Sequence, residues 1–318
     1  MLNVIAKRLA NATLSLIGLV TLVFFMIFAT PGGPAYSILG VHASPATVAA
    51  LNRQMGLNRP IAEQYLTWWW HLAHGNLGYS FTEHARVGVL ILSYLRNTVV
   101  LYSAATVLAV VLAIIVGLFQ GAMKGRLSAT IIGGTQIALY SLPVFFLGTV
   151  LILVFAIDHA WLPPGGVGGA TSWSGKGTLD LVRHMVLPGL TLAIPITAAL
   201  SRYFGRQVRI EYDRDYVRAA RARGIPPVRL ALTHVLRNAL RPLVTLVGMM
   251  VPQIFVGGLL TETVFNYPGL GWLLWRSALQ QDYPTLTAIV LLIGILTILG
   301  NLAADLINSA LDVETRYD

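Results

Sequence analysis

TVVLYSAATVLAVVLAIIVGLFQGAM, residues 98–123, carries no charged side chain from end to end. About 20 apolar residues suffice to cross the hydrocarbon core of a bilayer as a helix. The stretch lacks the apolar–polar alternation of a barrel strand, so a helix is the form that satisfies its backbone in lipid. The same signature recurs, and six spans are expected at 9–29, 98–123, 129–157, 185–204, 243–264 and 285–310. Pro188 and Pro195 interrupt the fourth; proline is tolerated in membrane helices whose neighbours satisfy the freed carbonyls. The first follows Lys7 and Arg8 as a secretory signal would. Its apolar run exceeds the roughly 7–15 residues of such signals, so an uncleaved span is expected.

Composition agrees. The chain is 56% hydrophobic and 11% charged, with a mean hydropathy of +0.70. Soluble domains carry about 25% charged residues. The chain has no cysteine, which removes disulfides, Fe–S clusters and thiol catalysis. Its net charge is +9, yet this is not a nucleic-acid signature. Ten of the 22 Lys+Arg residues, all arginine, fall between Arg202 and Arg241. Lys7/Arg8, Lys124/Arg126 and this arginine-rich loop fall on one side of a six-span topology. The positive-inside rule then places both termini in the cytoplasm.

The expected organisation is a first span (1–30), an extracytoplasmic segment with short interfacial helices (31–97), a transmembrane core (98–310) holding the basic loop 205–241, and a cytoplasmic tail (311–318). In the outer segment Thr30-Pro31-Gly32-Gly33-Pro34 stops the first helix. Ser44-Pro45 predicts a helix start, and Gly56 a stop after Met55. Residues 64–74, with Trp68, Trp69 and Trp70, suit the headgroup layer, where aromatic side chains concentrate.

The basic loop reads as two helices with a sharp break. Gly224 suits a C-terminal cap, Pro226 disfavours helix at Ile225, and Pro227 can open the next helix. Helical spacing groups Tyr212, Tyr216, Ala219 and Ala220 on one side, with Arg214, Arg218 and Arg221 on the other. In the second helix Val228, Ala231, Leu232, Val235, Leu236 and Ala239 form an apolar stripe. A mere positively charged connection needs neither caps nor amphipathic faces, so the pattern favours docking onto a partner.

Arg218-Ala219-Ala220-x-x-x-Gly224 resembles the cytoplasmic "EAA" loop of ABC importer permeases, Glu-Ala-Ala-x3-Gly followed by Ile-x-Leu-Pro. The run from Tyr216 to Gly224, continuing through His234-Val235-Leu236-Arg237-Asn238-Ala239-Leu240, is closer still to the B-type subunits of dipeptide, oligopeptide and nickel importers. Gly56-Leu57-Asn58-Arg59-Pro60, Gly75-Asn76-Leu77-Gly78-Tyr79-Ser80-Phe81, Trp161-Leu162-Pro163, Leu187-Pro188, the run from Thr261 to Gly271, and Asp282-Tyr283-Pro284 also fit, in order and spacing. Arg218 stands where the general motif has Glu, and His234 and Arg237 where it has Ile and Pro; these suit the peptide branch and not sugar permeases. The tail, Leu311-Asp312-Val313-Glu314-Thr315-Arg316, departs from the branch's Leu-Asp-Pro-Arg.

The resemblance implies the type I ABC importer permease fold, all-α with six membrane helices, in a bacterial or archaeal inner membrane. It implies a heterodimer with a C-type permease, two ATPase subunits that bind ATP and Mg, and an extracytoplasmic substrate-binding protein. Tyr216, Arg218, Ala219, Ala220, Arg223 and Gly224 would form the coupling helix that meets the ATPase. Di- or oligopeptides are the implied cargo, with nickel or glutathione as alternatives.

Within the chain no cofactor and no ATP site are expected. Gly175-Lys176-Gly177-Thr178 mimics a P-loop, but Ala170 and Gly177 occupy positions that need Gly and Ser/Thr. No nucleophile–base pair or Gly-x-Ser-x-Gly elbow is visible. His71 and His74, three apart, read as interfacial histidines and not metal ligands. Gly117-x-x-x-Gly121 reads as a close helix contact. Gln136, Ser141, Gln253 and Asn301 are polar within spans and are candidates for the translocation path, although such groups commonly serve as interhelical hydrogen bonds. Glu262 and Asp305 lie near span ends. An ion-coupled secondary transporter would place ionisable groups at span centres; none is found there, and the basic loop would go unexplained.

Overall fold

The computed structural model describes residues 2–29, 33–40, 42–54, 56–123, 127–167, 176–256 and 258–314. Among them every regular element is helical, apart from one antiparallel bridge between Tyr79 and Arg86. The outer segment follows α1 (Leu2–Ala29) with α2 (Gly33–Leu39), α3 (Pro45–Gln54) and α4 (Ile61–Ala73). Next come α5 (Val87–Ala122), α6 (Leu127–Ser141) and α7 (Val144–Leu151), the last running on as a π-helical stretch, Ile152–Asp158. The long α8 (Lys176–Tyr212) precedes α9 (Asp215–Ala222) and α10 (Pro227–Arg229). A second π-helical stretch, Leu230–Val235, joins α10 to α11 (Leu236–Val256). The chain ends with α12 (Leu259–Val264), α13 (Leu270–Leu279) and α14 (Tyr283–Glu314).

Among the described residues, Val87–Ala122, Gly177–Tyr212 and Tyr283–Ala303 are long and apolar enough to cross a membrane. A fourth such stretch arises if α6 and α7 count as one. Two expected spans, the third and the fifth, are broken in the structure. The third is not one rod: its two halves meet at 99°. Pro143 lies at the bend, where it lacks a backbone N–H and restricts Leu142. The fifth is cut between Val256 and Leu259; Gly257 lies outside the described residues, and Gly258 is not helical. The fourth is whole, because α8 runs unbroken through Pro188 and Pro195 while packed along α6 and α7. The expected helix start at Ser44 is present, with Ser44 Oγ accepting from the Thr47 N–H at 3.2 Å. Gly56, at φ +70°, follows that helix as expected; of the expected stop at 30–34, residues 30–32 lie outside the described residues, as does Met55, while Gly33 and Pro34 open α2.

The chain divides into two compact units. One comprises Met1–Thr98, Phe255–Leu259 and Pro268–Leu299. Its core gathers Val87, Ile91, Leu270, Leu273, Ala288 and Ile289. Beside it Asp282 is fully buried. Its Oδ2 accepts from the hydroxyls of Ser80, of Thr82 at 3.0 Å and of Thr285 at 2.9 Å, and its Oδ1 accepts from the Phe81 N–H at 3.2 Å. A buried carboxylate without such donors would be costly. With them it ties the 80–82 turn to the start of α14. Arg276 reinforces the same region, pairing with Glu83 at 2.8 Å and lying 5.1 Å from the Trp272 ring centre.

The other unit comprises Val99–Ile254, Leu260–Tyr267 and Gly300–Asp318. Here Gly117 and Gly121 of α5 meet α8 of the same chain. A Cβ at Gly121 would sit 2.5 Å from Val208 Cγ1 and 2.8 Å from the Gly205 carbonyl oxygen; one at Gly117 would sit 2.9 Å from the Ser201 carbonyl oxygen. The expected small-residue contact is therefore a packing seam, and it lets Gln120 of α5 reach Gln136 of α6 behind it.

Candidate functional site: a basic helical turn

The site is a helix, a sharp turn and a second helix on a buried apolar seam. Within α9 Val217 and Ala220 are buried, three apart on one face. They join Phe204 and Val208 of α8 and Leu230, Val235, Ala239 and Leu243 further on. Fully burying a side chain of valine size contributes about 1.5–3 kcal/mol, enough to hold a short helix that would fray alone.

The turn is set by hydrogen bonds and by Gly224. The Ile225 N–H donates to the Ala220 carbonyl at 3.3 Å, and the Gly224 N–H to the Arg221 carbonyl at 2.9 Å. This is the Schellman pattern, which needs a left-handed residue at its centre. Gly224 has φ +76°, and a Cβ there would meet nothing within 4 Å. Glycine is required by backbone conformation and not by crowding. Pro226 and Pro227 then open α10 as the sequence predicts.

The sequence grouping of Ala219 with Ala220 and Tyr216 does not hold. Ala220 is buried in the seam, while Ala219 and Tyr216 are exposed. The apolar stripe of the second helix also shifts: Val228 and Leu232 are exposed, and the buried series is Leu230, Val235, Ala239, Leu243. The first step is five residues because Leu230–Val235 is π-helical, a winding that rotates later side chains relative to a 100° pattern. Val217 and Leu230 were therefore missed as anchors. The i, i+3 pair of Val217 with Ala220 was the available signal.

The exposed face is ordered by its own contacts. The Tyr216 hydroxyl donates to Glu211 Oε2 at 2.6 Å. Burial first, and then this bond, push its phenol above the ordinary value, so it stays a protonated donor. Arg218 lies 3.4 Å from the Asp215 carboxylate, a solvated pair worth little by itself. The Arg221 guanidinium lies 5.5 Å from the Tyr212 ring centre. A hollow of about 450 Å³ opens beside the turn, lined by Arg209, Tyr212, Asp213, Arg221, Ile225 and Leu230. Arg218, Ala219, Arg223 and Gly224 thus share one exposed, positively charged patch with a small-residue centre. Such a patch can accept a close-fitting acidic or polar surface.

Gln136 is buried; its Nε2 donates to Gln120 Oε1 at 3.0 Å and to Ser201 Oγ at 2.9 Å, joining α5, α6 and α8. Ser141 is exposed and donates to the Ile137 carbonyl at 2.9 Å, while Gln253 and Asn301 are exposed. Glu262 is fully buried near Tyr102 and Tyr267, and the Asp305 side chain is outside the described ones. His74 Nδ1 lies 2.8 Å from the Trp70 carbonyl. Among the described residues no three His, Asp or Glu side chains converge as a metal site. Of the P-loop mimic, Gly175 lies outside the described residues and the rest opens α8.

Known proteins bear on this arrangement. Residues 109–317 match the family described as the binding-protein-dependent transport system inner membrane component, and residues 1–115 match the N-terminal region of such membrane components. The oligopeptide transport system permease protein AppB of Bacillus subtilis is 32% identical, over 98% of this chain and 99% of its own length. The di/tripeptide transport system permease protein DppB of Pseudomonas aeruginosa is also 32% identical, over 100% of this chain and 99% of its own. The glutathione transport system permease protein GsiC of Salmonella typhimurium is 32% identical over the full length of both. In fold, the chain resembles an inward-facing structure of the MetNI methionine ABC transporter, with a TM-score of 0.54 at 16% identity, covering 70% of this chain and 96% of that one. The chain belongs to the family of binding-protein-dependent transport system inner membrane components.

Proposed function

We propose that this chain is the B-type permease subunit of an ATP-driven importer of di- or oligopeptides, and that the turn at Gly224 is its coupling element. The carrying observation is the division of α9 into two faces. Val217 and Ala220 anchor it to α8, while Arg218, Ala219 and Arg223 are left to meet a partner. ATP binding and hydrolysis then belong to two separate ATPase subunits, and this chain supplies no nucleotide or metal ligand. Closure of the ATPase pushes α9, which moves as one piece with the end of α8 because the seam is packed.

The remaining features belong to the same reading. Six spans place both termini and the basic loop in the cytoplasm. A C-type permease completes the passage, and an extracytoplasmic binding protein delivers cargo. Ser141, Gln253 and Asn301 are the polar groups left to face that passage, with Gln136 behind them as a brace. Peptide cargo is supported by the names of three relatives, since oligopeptides, di/tripeptides and glutathione share one chemistry.

The test separates docking from folding. Ala219 is exposed, so Ala219→Trp leaves this chain's packing intact and blocks close approach. With the partner subunits co-expressed, peptide uptake falls at least about ten-fold while melting stays unchanged. Gly224→Trp, which also strains the backbone at φ +76°, uncouples uptake from ATP hydrolysis. Full uptake and transport-linked hydrolysis in both variants would remove the coupling role.

A further inference from the structure

We propose that a cleft in the first unit, between α1, α4 and the first turn of α14, binds the phosphate headgroup of an anionic phospholipid. The cleft has a volume of about 550 Å³. Arg53, Arg59 and His71 supply its cationic or hydrogen-bonding edge, and Phe24, Trp68 and Tyr283 supply aromatic wall. No acidic side chain lines it. Neither arginine is in an ion pair among the described residues. Two guanidiniums facing one hollow repel each other, and a phosphate relieves that repulsion while accepting from the planar fork of each.

The floor is prepared for a ligand of this shape. The Gln64 side-chain amide donates to the Leu57 carbonyl at 3.1 Å and the Arg59 carbonyl at 2.8 Å, holding the 57–59 turn against α4. Gly56, at φ +70°, folds the chain so that Arg59 Nε would lie 3.9 Å from a Cβ there. Arg53, in the last turn of α3, and Arg59, in the turn that follows it, thereby line the same hollow.

A lipid fits better than a free peptide. A zwitterionic peptide brings an ammonium as well as a carboxylate, and the cleft has no carboxylate to receive it. The surroundings are those of a membrane surface. Tyr65 and Trp68 pack on Phe24 of α1, with ring centres 5.2 and 6.3 Å away. On the outside of α4, Leu66 and Trp70 are about two-thirds exposed. Aromatic side chains of this kind settle at headgroup depth, where acyl chains can lie along α1 and α4 and a phosphate can turn inward.

The inference rests on the chain being a membrane protein and not on its coupling to an ATPase. Lipid retention by the full chain in neutral detergent tests it, so its failure leaves the importer reading intact. Native mass spectrometry is run with dioleoyl phosphatidylglycerol, dioleoyl phosphatidylcholine and glycerol 3-phosphate as probes. One phosphatidylglycerol should be retained with roughly ten-fold preference over phosphatidylcholine, as two arginines at a lipid surface imply. Glycerol 3-phosphate should compete only weakly, because it lacks the apolar chains. Arg53→Gln and Arg59→Gln should each lower the preference about three-fold, and the double variant should abolish it with unchanged melting. If the double variant unfolds, the two single variants decide. Equal retention of both lipids, undiminished preference in the variants, glycerol 3-phosphate displacing the lipid at matching concentration, or displacement by dialanine at lower concentration than the lipid would each overturn the assignment.

Discussion

At Gly224 one dihedral angle decides the geometry of the turn that ends α9. With φ at +76° and open space around the missing Cβ, replacement by alanine costs backbone strain and no clash. Gly224→Ala should destabilise by about 1–2 kcal/mol. Gly224→Asn should cost less, because asparagine enters the left-handed region more readily. Thermal melting of the detergent-solubilised chain measures both. Asp282 is the opposite kind of residue, fixed by its partners. Asp282→Ala leaves the donors of Ser80, Thr82, Thr285 and Phe81 without their acceptor. The expected loss is about 3–5 kcal/mol, read as a lowered melting temperature and faster proteolysis near residues 80–84. Ala219 and Ala220 carry the same side chain with opposite fates. Ala220→Trp should collapse the seam and the yield of folded protein, whereas Ala219→Trp should spare both.

Helices in lipid cannot rely on apolar burial against one another, so close packing and hydrogen bonds hold them together. The α5–α8 contact is of this sort. Gly121→Ala places a methyl group 2.5 Å from Val208 Cγ1 and should cost about 1–3 kcal/mol. Val208→Ala on that background should restore only part of the loss, because it removes Cγ1 but leaves the residue's Cβ at 2.6 Å and the Gly205 carbonyl oxygen at 2.8 Å. A double-mutant cycle on melting or unfolding free energy measures the coupling, and strict additivity would contradict the contact. The Gln120–Gln136–Ser201 bridge adds a polar tie across the same helices. Gln136→Leu should weaken it by about 0.6–2 kcal/mol, by the same measurement.

For the whole molecule, the proposed coupling role makes the exposed basic face the surface that meets the ATPase subunits. Arg218→Glu with Arg223→Glu should reverse the local charge and release the ATPase subunits on affinity purification. The loss should be most evident at low salt, where exposed charges are least screened. The chain itself should still reach the membrane, since both side chains lie outside the buried seam. Undiminished recovery of ATPase subunits with the double variant would place the contact elsewhere.

Composition and charge-free length made the helical membrane class legible, because lipid leaves a spanning backbone few alternatives. The cap at Ser44, the stops at Gly56 and Gly224 and the start at Pro227 were legible for a local reason: each depends on the φ/ψ demands of a few adjacent residues. The bend at Pro143 and the continuity through Pro188 and Pro195 were not. The same residue type breaks one helix and is absorbed by another, according to the neighbours packed around it. The inward facing of Ala220, the π-helical shift at Leu230–Val235 and the burial of Asp282 likewise needed the assembled structure. A fixed 100° period cannot foresee a change of winding, and a carboxylate 200 residues from its donor Thr82 becomes their acceptor only when tertiary folding brings the two together.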